Sequence, residues 1–132
     1  MPAHVTILFP FAPPERLDEA ELAMLLGAHA AFDFALTRLE TLPGDVVTWL
    51  TPEPAEPFVE LTNTVWHRWP EFPPYEGIHE VVIPHLTISD SGRLDVELDL
   101  PIACRAREVT LIEEDEHGHW AERRRFALGA TP

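Results

Sequence analysis

At 132 residues the chain has the length of one domain, enough to bury roughly two-thirds of its unfolded surface without disulfide or metal staples. Its 23 acidic residues against 9 basic ones, all arginine, leave a net charge of −14, which argues against tight, non-specific binding to long nucleic acid because such affinity rests on neutralising phosphates. One cysteine, Cys104, excludes an internal disulfide, and neither a leader nor an apolar stretch of membrane-spanning length is visible, so a monomer in a reducing cytoplasm is expected.

The chain opens on Ala3-His4-Val5-Thr6-Ile7-Leu8-Phe9, an apolar run broken by His and Thr two positions apart. Side chains alternate along an extended strand, so His4 and Thr6 point one way and Val5 and Ile7 the other. Pro10, Pro13 and Pro14 end this strand and prepare a helix, predicted over 15–29. Asp18, Glu19 and Glu21 fall near its start, where the helix dipole favours acids. Leu17, Met24 and Ala28 define its apolar side, widened by Leu22, Leu25 and Leu26, and His29 closes it. Residues 32–39 alternate as a half-buried strand does, Pro43-Gly44-Asp45 signals a turn, and 46–50 returns as the antiparallel partner. Pro52, Pro54 and Pro57 lead into a second helix. Its core face is Phe58, Thr62, Val65, Trp66 and Trp69, with His67 on the solvated side.

Residues 70–75 form a proline-rich loop. Its Tyr75, like Phe11 after the first motif, is a candidate substrate contact, with simple packing as the alternative. His79 reads as a rim residue. Then comes Pro84-His85-Leu86-Thr87-Ile88-Ser89, which repeats the opening pattern: His85 and Thr87 on one face, Leu86 and Ile88 on the other. Asp90-Ser91-Gly92 is a turn, and 93–98 is open between a short helix and an extended segment. The chain closes with strands over 105–113 and 120–128, joined by Asp115-Glu116-His117-Gly118-His119. His117 and His119 read as a surface turn, since a metal site needs further ligands that the sequence does not supply nearby. Arg123 and Arg125 share one face and are expected to pair with Glu113 and Glu114 across the hairpin. Cys104, beside Ile102 and Ala103, reads as a small buried residue.

The two His-x-Thr motifs resemble those of the 2H phosphoesterases, the superfamily that includes 2′-5′ RNA ligase-like proteins and cyclic phosphodiesterases. The similarity extends to Phe9-Pro10-Phe11 and to the stretch from Leu50-Thr51-Pro52-Glu53-Pro54 through Trp69-Pro70, and it covers most of the chain. It implies an α+β fold: a two-lobed, pseudo-twofold duplication with antiparallel sheets around a central cleft and helices on the outside. Residues 1–132 then form one domain with interleaved lobes. In that fold the motifs lie side by side, with His4, Thr6, His85 and Thr87 around one point. This chain's second half is shorter where the family usually carries another helix.

Opening a cyclic phosphodiester requires a base to activate water and an acid to protonate the departing ribose oxygen. Histidine serves both roles, because its ordinary pKa of about 6.5 keeps both forms accessible near neutrality. Threonine hydroxyls would donate to the non-bridging phosphate oxygens. His4 and His85 are therefore the candidate catalytic pair and Thr6 and Thr87 the candidate phosphate ligands. No metal or other cofactor is expected, as the resemblance also implies, and the substrate it implies is a 2′,3′-cyclic nucleotide or an RNA end bearing one, with 2′-5′ ligation as a related activity. Two rival readings stand beside it. One is a non-catalytic module that binds a nucleotide or phosphometabolite with the same residues. The other, a metal-dependent hydrolase built on the seven histidines, lacks ligand spacing on any one element.

Overall fold

The computed structural model describes residues 4–41, 48–77, 83–89 and 98–129. Among them the chain forms helix α1 (Glu19–Gly27), strands β1 (Phe32–Thr41) and β2 (Thr48–Glu53), helix α2 (Glu56–Arg68), and strands β3 (Leu86–Ser89), β4 (Ile102–Ala106), β5 (Glu108–Glu114) and β6 (Trp120–Ala127). Short 3₁₀ turns occupy Pro14–Arg16 and Pro74–Gly77. The contacts divide into two units, each drawn from separate stretches of sequence: Ala12–Phe32 with Arg105–Pro132, and Pro2–Phe11 with Asp33–Cys104. The turn at 43–45, residues 46 and 47, His79 and the segment 90–97 lie outside the described residues.

In the first unit, Pro14 starts the 3₁₀ turn and α1 follows only at Glu19, so the helix predicted over 15–29 is shorter at both ends. Asp18 caps it, its carboxylate accepting the Glu21 amide at 3.1 Å. The buried stripe is Leu22 and Leu26, four residues apart, with Gly27. Met24, placed on the apolar side by the sequence pattern, is 75% exposed. The helix is turned so that its two leucines, and not the 17–24–28 row, cover the core.

Strands β5 and β6 pair antiparallel, and Phe126 and Leu128 are buried. Between them the Asp115 carboxylate accepts the amides of His117 and His119 at 2.8 and 2.9 Å, and Gly118 takes a φ of +78° that side chains disfavour. The strand expected over 105–113 divides at Arg107, whose carbonyl accepts the Leu128 amide at 2.9 Å. Arg123 meets Glu113 at 3.0 Å, as expected across the hairpin, but its second partner is Glu19 of α1 at 3.0 Å and not Glu114. Arg125 binds Glu122 at 2.7 Å and approaches Glu108 at 3.5 Å. A register irregularity between Leu111 and Ile112 breaks the alternation that the Glu114 pairing assumed. It lets Arg124 approach Glu19 as well, at 3.7 Å.

In the second unit the sheet order is β3-β2-β1-β4. β1 and β2 pair antiparallel with Leu39 opposite Leu50 and Glu40 opposite Trp49. β2 continues through Pro52, which the sequence placed on the way into α2. The chain tolerates it there because Pro52, fully buried opposite Leu36, adjoins a register shift between Leu36 and Arg38, where a missing N–H breaks no regular ladder. α2 buries Phe58, Leu61, Thr62 and Val65, with Trp69 just beyond its end; Trp66 is only half-buried, and Leu61 takes the place expected for it. Phe34 meets Phe58 edge to face at 5.0 Å. Leu36, Leu50, Phe58, Leu61, Val65 and Trp69 thus form the core under this sheet, each such side chain contributing about 1.5–3 kcal/mol of burial. Cys104 of β4 is half-buried, not buried, because it lies on the sheet's outer strand. No described helix is long and apolar enough to cross a membrane.

Candidate active site

The first motif does not form a regular strand. Among the described residues only Val5 pairs, in an isolated antiparallel bridge with Leu86 at the start of β3. Two carbonyls that could have extended a ladder are taken by other elements. Thr62 of α2 donates its hydroxyl to the Ile7 carbonyl at 2.6 Å, and the Tyr75 amide donates to the Phe9 carbonyl at 2.5 Å. The segment is therefore held by a helix side chain and a 3₁₀ turn, and among the described residues it touches the sheet at one rung.

That rung joins the centres of the two motifs. Directly opposed residues in an antiparallel pair share a face, and their neighbours share the other. With Val5 against Leu86, the antiparallel register brings His4 level with Thr87 and Thr6 level with His85 along the two chains. Opposed positions of this kind hold their Cβ atoms about 4.5–5.5 Å apart. His4 and Thr87 are exposed, and Thr6 and His85 half-buried.

The next strand extends this face. Trp49 of β2 pairs with Thr87 and also with Glu40 of β1, so Glu40, Trp49 and Thr87 form one row across the sheet. The Trp49 ring meets the His85 imidazole edge to face at 6.1 Å and 65°. Its indole nitrogen is buried without a hydrogen-bond partner among the described residues. Thr51, two residues on, donates to the Glu40 carboxylate at 2.8 Å.

His85 is oriented from below as well as from the side. Its Nδ1 lies 2.8 Å from the Ile83 carbonyl, which can only accept, so this bond puts a proton on Nδ1. Nε2 is then the ring's acceptor when the imidazole is neutral and a donor when it is charged. An imidazole held this way can take or give a proton at one defined atom. Trp49 and the Ile83 carbonyl were not found from the sequence. Trp49 was visible as a strand residue, but its place beside His85 depends on the register between β2 and β3, which no local pattern encodes.

Phe11 and Tyr75 lie in the same unit. The Phe11 ring is edge-on to Trp69 at 5.6 Å and to Phe72 at 6.0 Å. Tyr75 takes a φ of +50°, and burial raises the pKa of its phenol above the ordinary value. His117 and His119 sit in the β5–β6 turn, exposed, and no group of three or more potential metal ligands occurs among the described residues.

Comparison with known proteins supplies a family and a fold. A family model described as the 2′-5′ RNA ligase superfamily matches residues 1–118. Among solved structures, Escherichia coli LigT complexed with 3′-AMP is similar over 96% of this chain and 76% of its own, at 20% identity and a TM-score of 0.66. LigT complexed with phosphate is similar over 96% and 75%, at 22% identity and a TM-score of 0.64. The TT0787 protein of Thermus thermophilus is similar over 96% and 78%, at 18% identity and a TM-score of 0.69. No curated protein matches the chain.

Proposed function

The chain belongs to the 2′-5′ RNA ligase superfamily, a group of phosphoesterase-type enzymes, and on that premise we propose that it opens a cyclic phosphodiester: a 2′,3′-cyclic nucleotide or the 2′,3′-cyclic phosphate end of an RNA. The observation that carries this reading is the antiparallel bridge between Val5 and Leu86, which pairs the middle residues of the two His-x-Thr motifs and so supports their acting together. In this reading Thr6 and Thr87 donate to the non-bridging oxygens, whose charge grows in the transition state. One histidine of the pair His4 and His85 takes a proton from water as its oxygen bonds to phosphorus. The other gives a proton to the ribose oxygen as its bond to phosphorus breaks. The proton count closes without a metal. An RNA 5′-hydroxyl in place of water gives ligation by the same steps, and the 3′-AMP held by LigT has the form of an opened product.

The test is turnover of 2′,3′-cyclic mononucleotides by the wild type, His4→Ala and His85→Ala, with the product identified. Each substitution is expected to cut the rate by about a hundredfold or more. A wild type that binds these nucleotides but releases no product would replace the enzyme with a binding module.

A further inference from the structure

The second unit holds a cavity of about 440 Å³ that the proposed chemistry does not use. Ile83 and Pro84, the two residues before His85, form one wall, and Ile83 is also the residue whose carbonyl holds the His85 ring. Thr51 forms another wall, one residue past Leu50, which pairs with Leu86. The cavity therefore comes within one residue of His85 along the chain. Its size lies within the range of about 300–1,000 Å³ usual for small-molecule sites.

Its polar groups are few and of both signs. Among the described lining residues Arg38 is the only cation, and Glu53 and Glu56 are the carboxylates. Arg38 approaches Glu53 at 3.8 Å and Glu40 at 4.0 Å, with the side chains 61%, 53% and 41% exposed. Pairs this long and open hold each other weakly, so both forks remain available to a guest. Two carboxylates beside one guanidinium do not suit a second phosphate. They suit a neutral group with acceptors on one side and donors on the other.

Resting on the phosphoesterase reading, we infer that this cavity seats the nucleobase of the substrate and selects guanine. Guanine offers two acceptors, O6 and N7, to the guanidinium fork, and two donors, N1–H and the N2 amino group, to a carboxylate fork. Adenine presents one donor group beside one acceptor and leaves half of each fork unused. Uracil has a single donor. Pro54, exposed beside the buried Pro52 and Pro84, supplies the apolar surface against which a flat ring rests.

The experiment compares kcat/KM for the four 2′,3′-cyclic nucleotides in the wild type, Arg38→Met and Glu53→Gln. The wild type is expected to favour guanine over adenine by about tenfold or more, and either substitution to reduce that ratio below about threefold. Equal rates on guanine and adenine, or variants that keep the wild-type ratio, overturn the assignment while leaving the phosphoesterase reading intact. If no cyclic nucleotide is turned over, that reading fails instead. Calorimetry with 3′-GMP and 3′-AMP then decides the cavity: tighter 3′-GMP binding that Arg38→Met abolishes supports it, and equal or absent binding overturns it.

Discussion

Thr62→Val tests how the first motif is held. Thr62 is 4% exposed, and its hydroxyl reaches two carbonyls, Ile7 at 2.6 Å and Phe58 at 3.2 Å. A hydroxyl has one proton, and the shorter contact takes it. Phe58, four residues back in α2, is the normal helical acceptor for the Thr62 amide and loses little. The Ile7 carbonyl loses its donor. Leaving such an acceptor half-buried costs about 1–3 kcal/mol, and the added methyl group returns somewhat less than 1 kcal/mol, for a net loss of about 1 kcal/mol. In a domain of this size that lowers Tm by about 3–5 °C. The rate falls further than the stability, by about tenfold, because the released segment carries His4 and Thr6 and small misplacements weigh heavily on reaction rates. Thr62→Ser keeps the hydroxyl and is expected to keep most of the rate. The assay pairs thermal unfolding by circular dichroism with cyclic-nucleotide turnover. A Thr62→Val protein with unchanged Tm and rate, or a Thr62→Ser protein as impaired as Thr62→Val, refutes the reasoning.

Other expectations follow from particular contacts. Neutral His85 carries its proton on Nδ1, and nitrogen-15 chemical shifts of the ring will report this; an Nε2–H ring contradicts the bond to Ile83. Tyr75 is the one tyrosine in the chain, so absorbance at alkaline pH reads it alone. Burial raises its folded pKa, so ionisation in the native protein begins later than in the denatured chain. The unfolded state then releases its proton first, and the stability tied to Tyr75 is intact below about pH 10 and lost as the pH rises above it. A native titration that overlays the denatured one sinks this. Leu26→Ala, at a fully buried position of α1, is expected to cost about 3 kcal/mol, whereas Met24→Ala stays within about 0.5 kcal/mol; comparable losses would put the helix the other way round.

The sequence made the α2 face, the β1–β2 pairing and the β5–β6 hairpin legible, because each is written in a local period of 3.6 or 2 residues. What it concealed lies between elements. The α1 stripe contained six apolar residues, too many to tell which side the core takes, and Met24 ended outside. Pro52 looked like a strand's end because its tolerance depends on a bulge in the partner strand. The candidate site divides in the same way. His4, Thr6, His85 and Thr87 stand out by type and spacing, but Trp49 and the Ile83 carbonyl come near His85, and Arg38 near Ile83 and Pro84, only through register and chain path.

The one rung between Val5 and Leu86 also sets a parity rule. Each motif has its imidazole one position before the paired residue and its hydroxyl one position after, so their spacing must be even to keep both on one side. One residue inserted between His4 and Thr6, or between His85 and Thr87, sends one member of that motif to the apolar side. An insertion anywhere from Pro10 to Glu80 changes the length of the path between the motifs and leaves their parity untouched. Natural length variation in relatives of this chain should therefore accumulate freely between the motifs and be absent within them.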